Sequence, residues 1–542
     1  MKKKIVALSM ALCSLATVAF SACAPEENDS ETNAIVHMYN GGYGIAAFEK
    51  IAAAFNAEAE NVEKGYTVQI VDMGRGYTGA NVTSKLQGGL GTFDLVLTAE
   101  VSVYDIVDKG ANYLRGYDCA LEDLSDVYEA TVEGEGVTVG DKMVDQFYEY
   151  NTFKGTQRSM TWATGPSGIA YRADFFEQNG WTIPRTTNEL IELSNTMLTA
   201  GYTPYILSKD GNGYWYYSVL AWWRQMISDE EFNDFWSGVD TATGEEGPEA
   251  FRTAGRQIAF EELERVLAGA SSDPEAADGT FRTDGHLHAD SGTVDAIETQ
   301  MKFYDSNQKI CMLANSDWME NEIKKTNSYM PGAVDVGIFK TPVTSEVLKE
   351  YLPEGGSQWR FEDIRDEQTL RAVITSIDEG RTSHEGVCAE DFAKLKKIRS
   401  YTGTEAQNHT AFVPVYANAK TVAKEFLKYV ATNKALQIYY NEVGTFLPFD
   451  TSGLTVDTST TFRQDIYKMS QNAHYVSTFD SKTPLFYRNR GSEFGFFMAK
   501  TAEWYIGMPK ASQPSCGLSG LDYLDLVVPT ATQWANAVAN SK

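Results

Sequence analysis

The chain has 542 residues, and because hydrophobic cores stop growing at about 250–300 residues, at least two lobes are expected. Apolar residues make up 43% and charged residues 22% of the chain, a balance that excludes a disordered protein. With 46 Lys and Arg against 74 Asp and Glu, the net charge of −28 would repel a phosphate backbone, which excludes nucleic acid as a partner.

Residues 1–22 have the order of an export signal. Three lysines follow Met1, an apolar run extends from Ile5 to Phe20, and small residues precede Cys23. Because Phe20-Ser21-Ala22-Cys23 resembles a bacterial lipobox, we expect cleavage before Cys23 and acylation of this cysteine. The protein would then be held at the outer face of the cytoplasmic membrane by its N-terminal lipid alone, with 23–33 as a tether. The alternatives are an ordinary signal and an uncleaved membrane helix.

The remaining cysteines do not predict a metal site or any cofactor. Cys119, Cys311, Cys388 and Cys516 lie far apart, without a CxxC or other metal-finger spacing. Whether any of them pair is open. His286-x-His288 could offer two metal ligands, but no third ligand accompanies it, and an exposed loop pair is the simpler interpretation.

The first hundred residues alternate between strand and helix patterns. The predicted elements, in chain order, are a strand at 35–39, a helix at 48–59, a strand at 66–72, a helix at 79–87, a strand at 94–98 and a helix at 101–109. Such alternation predicts an α/β lobe with parallel neighbouring strands. Further along, 344–408 is poor in apolar residues and is predicted to be an insertion, and two helical stripes at 422–431 and 436–443 follow it.

A glycine-rich turn after the first strand permits two interpretations. Gly42-x-Gly44-x-x-Ala47, with Asp72 at the end of the next strand, loosely matches a dinucleotide-binding fingerprint, although the spacing to the acid is too long. A bare strand-to-helix turn is the alternative, and its glycines would still let the backbone approach a ligand closely.

Aromatic clusters predict sugar contacts or core packing. Tyr214-Trp215-Tyr216-Tyr217 follows a polar loop at 210–213, and Trp162 and Trp318 each lie beside small or polar residues. Most such rings belong to a core. Exposed at a loop-to-helix junction, they can instead stack on the apolar face of a pyranose.

Four segments carry the pattern of one known family, and they are Gly168–Trp181, Ile183–Leu190, Cys311–Trp318 and Ala423–Pro448. Together they resemble the extracellular solute-binding lipoproteins of carbohydrate ABC importers, the maltose-binding-like family. Gly168–Trp181 is similar to the family's G-x-x-Y-N-x-x-x-F-x-x-x-G segment, which Ile183–Leu190 continues into a helix. Cys311–Trp318 is similar to the family's A-M-x-x-x-G-x-W strand and loop, in which the tryptophan commonly stacks on sugar. Arg172, Thr187 and Asp317 depart from the family's usual residues.

The resemblance implies a two-lobed periplasmic-binding-protein-like fold of type II, each lobe a mostly parallel sheet flanked by helices, with hinge crossovers. Mapped by motif, lobe one covers 34–158 and 411–452, lobe two covers 159–343 and 453–542, and 344–410 is an insertion near the hinge. The implied function is reversible capture of a monosaccharide or oligosaccharide by closure of the lobes, and delivery to the permease subunits of an ABC importer. The protein would be a monomer without enzymatic activity. A secreted glycoside hydrolase or lyase and a glycan-binding adhesin are the alternatives.

The residues expected to bind ligand are chosen in lobe one by their position after parallel strands, and in lobe two from the aromatic clusters and from the family-like segment that ends at Trp318. The expected ligand-binding residues are Tyr39, Asn40, Tyr43, Arg75, Tyr77 and Glu100 from lobe one, and Trp162, Tyr214, Trp215, Asp317 and Trp318 from lobe two. The tryptophans would act as stacking platforms and Asp317 as a hydrogen-bond acceptor.

Overall fold

The computed structural model describes residues 30–89, 93–209, 214–268, 286–324, 334–349, 359–404, 409–477 and 520–542, and Thr326 and Leu485 singly. The predicted signal, Cys23, most of the tether, the loop 210–213 and Cys516 lie outside the described residues. No helix in the described ranges is both long enough and apolar enough to cross a membrane.

Strands and helices alternate along most of the chain. The strands are β1 (Asn33–Met38), β2 (Thr67–Asp72), β3 (Leu95–Thr98), β4 (Thr152–Phe153), β5 (Thr156–Gln157), β6 (Met160–Thr161), β7 (Ser167–Arg172), β8 (Thr203–Tyr205), β9 (Ile310–Ser316), β10 (Val336–Lys340), β11 (Tyr401–Thr404), β12 (Thr410–Phe412) and β13 (His474–Ser477). The α-helices of the N-terminal half are α1 (Ala46–Asn56), α2 (Ala59–Lys64), α3 (Gly79–Gln87), α4 (Val103–Lys109), α5 (Ser125–Tyr128), α6 (Val139–Lys142), α7 (Asp145–Tyr150), α8 (Ala173–Asn179), α9 (Thr187–Thr199), α10 (Trp215–Met226), α11 (Asp229–Ser237) and α12 (Ala254–Ala268). Those that follow are α13 (Ala296–Tyr304), α14 (Met319–Ile323), α15 (Glu367–Asp378), α16 (Ala389–Ser400), α17 (Lys420–Val430), α18 (Asn433–Val443), α19 (Thr461–Ser470), α20 (Gly520–Val527) and α21 (Ala531–Ser541).

The first sheet has the strand order β2-β1-β3-β12-β6. β1 runs parallel to β2 and β3, and β12 runs antiparallel to β3 and β6. The predicted succession of strand and helix is confirmed here, with β1 starting two residues earlier than predicted. Because β1, β2 and β3 are parallel, their carboxyl ends meet at one edge of the sheet.

Helix α1 covers this sheet with an apolar stripe at three- and four-residue spacing. Its buried side chains include Phe48 and Phe55. The ring of Phe48 lies 5.9 Å from Tyr439 in α18, and that of Phe55 lies 5.5 Å from Phe426 in α17. The two helices predicted after the insertion therefore complete the first lobe's core.

The second sheet is mixed, with the order β10-β7-β9-β8. β7 runs antiparallel to β9 and β10, while β8 runs parallel to β9, so this sheet differs from the mostly parallel one expected. β7 and β9 are buried along their whole length, so both faces are covered although the pair is antiparallel. Because both faces are buried, neither sequence alternates between apolar and polar residues, the pattern that would have indicated an antiparallel pair with one solvent-exposed face.

The chain passes from the first sheet to the second at 162–166, between β6 and β7. It returns to the first sheet between β11 and β12. It leaves the first sheet again at 444–460, between α18 and α19, and α19 packs on β10 of the second sheet. The division into lobes stays a prediction, and residues 344–410, the predicted insertion, include α15, α16 and β11.

Candidate functional site

A cavity of about 590 Å³ lies between the two sheets, at the carboxyl ends of β1, β2, β3 and β9. Its described lining residues are Tyr39, Gly42, Tyr43, Arg75, Glu100, Lys209, Tyr214, Tyr216, Asp295, Ala296, Ile297, Trp318, Glu322 and His409. Ligands of open α/β sheets bind outside the carboxyl ends of the strands, so the position and the size of this cavity fit a ligand site.

One ion pair connects the two halves of the cavity. Arg75, three residues after β2, donates from Nη2 to Oε1 of Glu322 at 2.7 Å. The second carboxylate oxygen of Glu322 accepts from Nε2 of Gln300 at 2.8 Å. Glu322 is nearly buried while Arg75 is largely exposed, so the guanidinium is the part of this pair that solvent or a ligand can reach.

A second connection joins Tyr43 to Asp317. The hydroxyl of Tyr43 donates to Oδ1 of Asp317 at 2.9 Å, and Oγ1 of Thr445 donates to Oδ2. Asp317 is 2% exposed, and burial raises the pKa of its carboxyl to about 6 although both hydrogen bonds oppose the rise. Burial, reinforced by the charge of Asp317, also raises the pKa of Tyr43 well above its usual value, so this hydroxyl remains a donor.

Trp318 forms one wall of the cavity. Its ring lies edge-on to Tyr43 with centroids 5.8 Å apart, and 6.0 Å from the ring of Tyr214. A Cβ at Gly42 would come within 2.8 Å of the tryptophan, so a glycine is required at this close approach. Nδ2 of Asn321 donates to the Gly42 carbonyl at 2.6 Å, which fixes the glycine turn of the first lobe against the second.

The structure brings six of the predicted ligand-binding residues together around the cavity. The six that line it are Tyr39, Tyr43, Arg75, Glu100, Tyr214 and Trp318. Asp317 lies directly behind them, with its carboxylate engaged by Tyr43 and Thr445.

Besides Asp317, four other predicted residues lie outside the lining. Asn40 donates to Asp72 at 2.8 Å, and Tyr77 is buried with its hydroxyl 3.2 Å from Nδ1 of His37. Trp162 is buried and donates from Nε1 to the Thr98 carbonyl at 3.2 Å. Trp215 is 2% exposed and packs edge-on against Tyr205, since it begins a helix buried along its whole length.

Several lining residues were not predicted. Glu322 follows Trp318 by four residues in the helix that starts there, so helical spacing could have indicated it. Asp295 caps α13 by accepting from the Glu298 amide at 2.8 Å, a pattern visible as Asp-x-x-Glu. His409 carries no local signal, because only the return of the chain to the first sheet places its ring 5.4 Å from Tyr43.

The dinucleotide-binding interpretation of the glycine-rich turn loses its support. Asp72 accepts hydrogen bonds from Asn40 and from the Gly74 amide, both at 2.8 Å, so it stabilises the turn instead of facing a ribose.

The interpretation of His286 as an exposed loop residue is wrong. Its ring is 1% exposed, with Nδ1 2.6 Å from the Val266 carbonyl and Nε2 3.0 Å from Oδ1 of Asn195.

A cluster of potential metal ligands lies elsewhere, in the predicted insertion. Donor atoms of Asp363, Cys388 and Asp391 lie within 4.8 Å of one another. Asp391 accepts from the amides of Glu362 and Asp363, both at 2.7 Å, and Asp363 accepts from the Cys388 amide at 2.8 Å. These bonds order the loop before α16, which accounts for the cluster.

The chain is similar to known proteins both in sequence and in structure. No family model matches the chain. The diacetylchitobiose-binding protein NgcE of Streptomyces coelicolor is 24% identical over 210 residues, so the match spans only 38% of this chain and 38% of that protein.

The structural matches cover nearly the whole chain. The ligand-free form of RafE from Streptococcus pneumoniae aligns with a TM-score of 0.58 at 13% identity, covering 94% of this chain and 98% of RafE. A chitin oligosaccharide binding protein aligns with a TM-score of 0.58 at 13% identity, and the alignment covers 93% of this chain and 100% of that protein. The predicted two-lobed α/β fold of solute-binding proteins is confirmed.

Proposed function

We propose that this protein is a lipid-anchored extracellular substrate-binding protein that captures a sugar or oligosaccharide between its two lobes and delivers it to an ABC importer. The observation that carries this proposal is the cavity between the sheets, where aromatic rings from both lobes stand beside charged groups. Neither lobe supplies this lining alone, so a ligand held there would contact both.

The lining matches the two surfaces of a pyranose. The rings of Tyr39, Tyr43, Tyr214 and Trp318 can cover its apolar C–H face, which gains from burial and from ring stacking. Arg75 and Glu100 offer a donor and an acceptor for its hydroxyls. This combination suits an uncharged, many-hydroxyl ligand better than an apolar one.

Two of the similar proteins suggest which sugar to test first. One is named for diacetylchitobiose and another for chitin oligosaccharides. We therefore propose a short oligosaccharide as the ligand and place chito-oligosaccharides at the head of the test series.

Binding would proceed without a covalent step. Lobe closure trades water in the cavity for ring stacking and fixed hydrogen bonds, and opening releases the sugar unchanged to the permease. The cavity's Glu322 is engaged by Arg75 and Gln300, an arrangement suited to orienting a neighbouring group. The protein would act as a monomer attached through Cys23.

Calorimetric titration of the mature protein with diacetylchitobiose, longer chito-oligosaccharides, raffinose and maltose tests the proposal. We expect saturable heat with at least one sugar, and a smaller radius of gyration by small-angle scattering in its presence. The same mixtures should contain no new reducing ends after prolonged incubation. Product formation would replace the proposal with a glycoside hydrolase or lyase. Affinity that persists for polymeric glycan without a change in radius would replace it with an adhesin.

The anchor has its own test. Cells expressing the full-length chain should incorporate labelled palmitate into it, and Cys23→Ser should abolish the label and release the protein into the medium. Equal labelling of the two forms would exclude Cys23 as the acylated residue.

A further inference from the structure

A second cavity, of about 680 Å³, lies between the second sheet and the two helices of the predicted insertion. Its walls are the edge strand β10, α15, α16, α19 and the start of β13. No described residue lines both this cavity and the one between the lobes. The two are therefore separate compartments.

The lining of this second cavity is apolar, with a positive charge at its edge. Ile183, Ile338, Phe339, Ile377 and Met469 supply the apolar wall. The charged lining residues are Lys340, Lys396, Lys397, Arg399 and Lys468 against Asp378 and Asp465. An excess of cations in one cavity is unusual in a chain whose net charge is −28, so the cavity is complementary to an anion.

Most of these charges already have partners. Arg399 makes two hydrogen bonds to Asp378, at 2.9 and 3.0 Å, and Lys397 pairs with Asp229 at 3.1 Å. Lys468 lies 3.5 Å from Asp465. The acids of the cavity are thus engaged by residues other than Lys340.

Two lysines of the lining, Lys340 and Lys396, have no hydrogen-bond acceptor or ion-pair partner among the described residues. Lys396 is exposed to solvent, whereas Lys340 is only 9% exposed. Burial, followed by the nearby positive charge of Arg399, lowers the pKa of Lys340 to about 7, although the charge of Asp378 opposes this change. The Nζ of Lys340 is not among the described buried polar atoms that lack a partner, so it can be reached from the cavity, and an anionic ligand there would supply an acceptor.

We propose that this second cavity is a binding site for a small amphipathic carboxylate, whose carboxylate group pairs with Lys340 while its apolar body lies against Ile183, Ile338 and Phe339. The insertion then has a defined role, because Ile377 and Ala393 on its helices complete the wall. The site is independent of the proposed sugar binding.

The experiment titrates the full mature protein with octanoate and follows binding by calorimetry and ligand-observed NMR. Two control ligands are titrated in the same way: 1-octanol, which lacks the carboxylate, and inorganic phosphate, which lacks the apolar body. We expect saturable octanoate binding that is at least tenfold tighter than binding of octanol or phosphate. Lys340→Met should weaken octanoate at least tenfold while leaving the affinity for 1-octanol unchanged. The exposed control Lys64→Met should change neither.

A second variant keeps the test independent of the lysine. Ala393→Trp would fill the cavity from α16 without removing a charge and should also abolish octanoate binding. Octanoate binding that is absent from the wild type, equal in Lys340→Met, or unaffected by Ala393→Trp would overturn the proposal. Phosphate binding as tightly as octanoate would overturn it too, since the apolar wall would then contribute nothing.

Discussion

Tyr43 and Asp317, separated by 274 positions in the chain, meet at 2.9 Å and join the glycine turn of the first lobe to the end of β9 in the second. Their hydrogen bond closes the back of the cavity, and Thr445 at the last passage between the lobes donates to the same carboxylate. These two hydrogen bonds connect the two lobes at the back of the cavity.

Removing the Tyr43 hydroxyl tests this connection. Tyr43→Phe removes the 2.9 Å donor to Oδ1 of Asp317, for which the Ser316 hydroxyl at 3.4 Å is a poor substitute, so we expect a loss of about 1–3 kcal/mol in the free energy of unfolding. Urea unfolding without sugar is the measurement. Tyr439→Phe is the control, because the Tyr439 hydroxyl is buried without a hydrogen-bond partner among the described residues, and its removal should cost little. Equal losses in the two variants would contradict a special role for Tyr43.

Asp317 should make stability depend on pH. Its pKa is about 6 in the folded protein against 3.8 in the unfolded chain, so between these values the unfolded chain binds fewer protons and the free energy of unfolding falls as the pH rises. The rise from 3.8 to about 6 corresponds to about 3 kcal/mol, lost by about pH 6 and constant above it.

The measurement is the difference in unfolding free energy between Asp317→Asn and the wild type from pH 4 to pH 8. We expect this difference to grow in favour of the variant up to about pH 6 and then to level off. Glu231→Gln is the comparison, because burial raises the pKa of Glu231 to about 7, so its difference should keep growing at higher pH. A difference for Asp317→Asn that does not vary with pH would contradict the assignment.

The Arg75–Glu322 ion pair should favour closure more than folding. Because the Arg75 side chain is 59% exposed, Arg75→Ala is expected to change the unfolding free energy by less than about 1 kcal/mol. Small-angle scattering should show a larger radius for the ligand-free variant, and the proposed sugar should bind more weakly. Lys64→Ala, which breaks the exposed pair with Glu60, should alter neither quantity. An unchanged radius would mean that the pair does not hold the lobes together.

Replacing Trp318 and Trp215 in turn should distinguish a ring that contacts ligand from a ring that packs in the core. Trp318→Ala is expected to weaken sugar binding by about 1 kcal/mol or more, because its ring lines the cavity. Trp215→Ala is expected to cost about 3–5 kcal/mol of folding free energy, because the ring is buried against Tyr205. Calorimetric binding and urea unfolding of both variants give the comparison. Unchanged sugar affinity in Trp318→Ala would place that ring outside the ligand contacts.

Much of the fold could be predicted because its signals are local. The apolar spacing of Phe48 and Phe55 predicts α1, and the short apolar runs around Val36 and Val96 predict β1 and β3, since these patterns record which face of each element is buried. The order of the four family-like segments predicted the two-lobed fold. Strand direction in the second sheet was not predictable from β7 and β9, which are buried on both faces.

The candidate site was predictable only in part. Position after a strand indicated Tyr39, Arg75 and Glu100, because carboxyl ends of parallel strands share an edge. The same argument and the aromatic clusters could not separate Trp318 from Trp215. Whether a ring faces a cavity or a core depends on which elements pack against it.

By itself, the sequence determined the excess of acid and the alternation of strand and helix, and it predicted an export signal and a set of aromatic residues for the proposed sugar site. Only the tertiary structure decided that Glu322 and His409 reach the cavity, that Asp317 pairs with Tyr43, and that Lys340 lies buried in a second cavity. The physical reason is the separation along the chain over which each kind of interaction acts. Backbone propensity and periodicity act between residues a few positions apart, whereas burial, ion pairing and cavity shape arise between segments that are hundreds of residues apart in the chain.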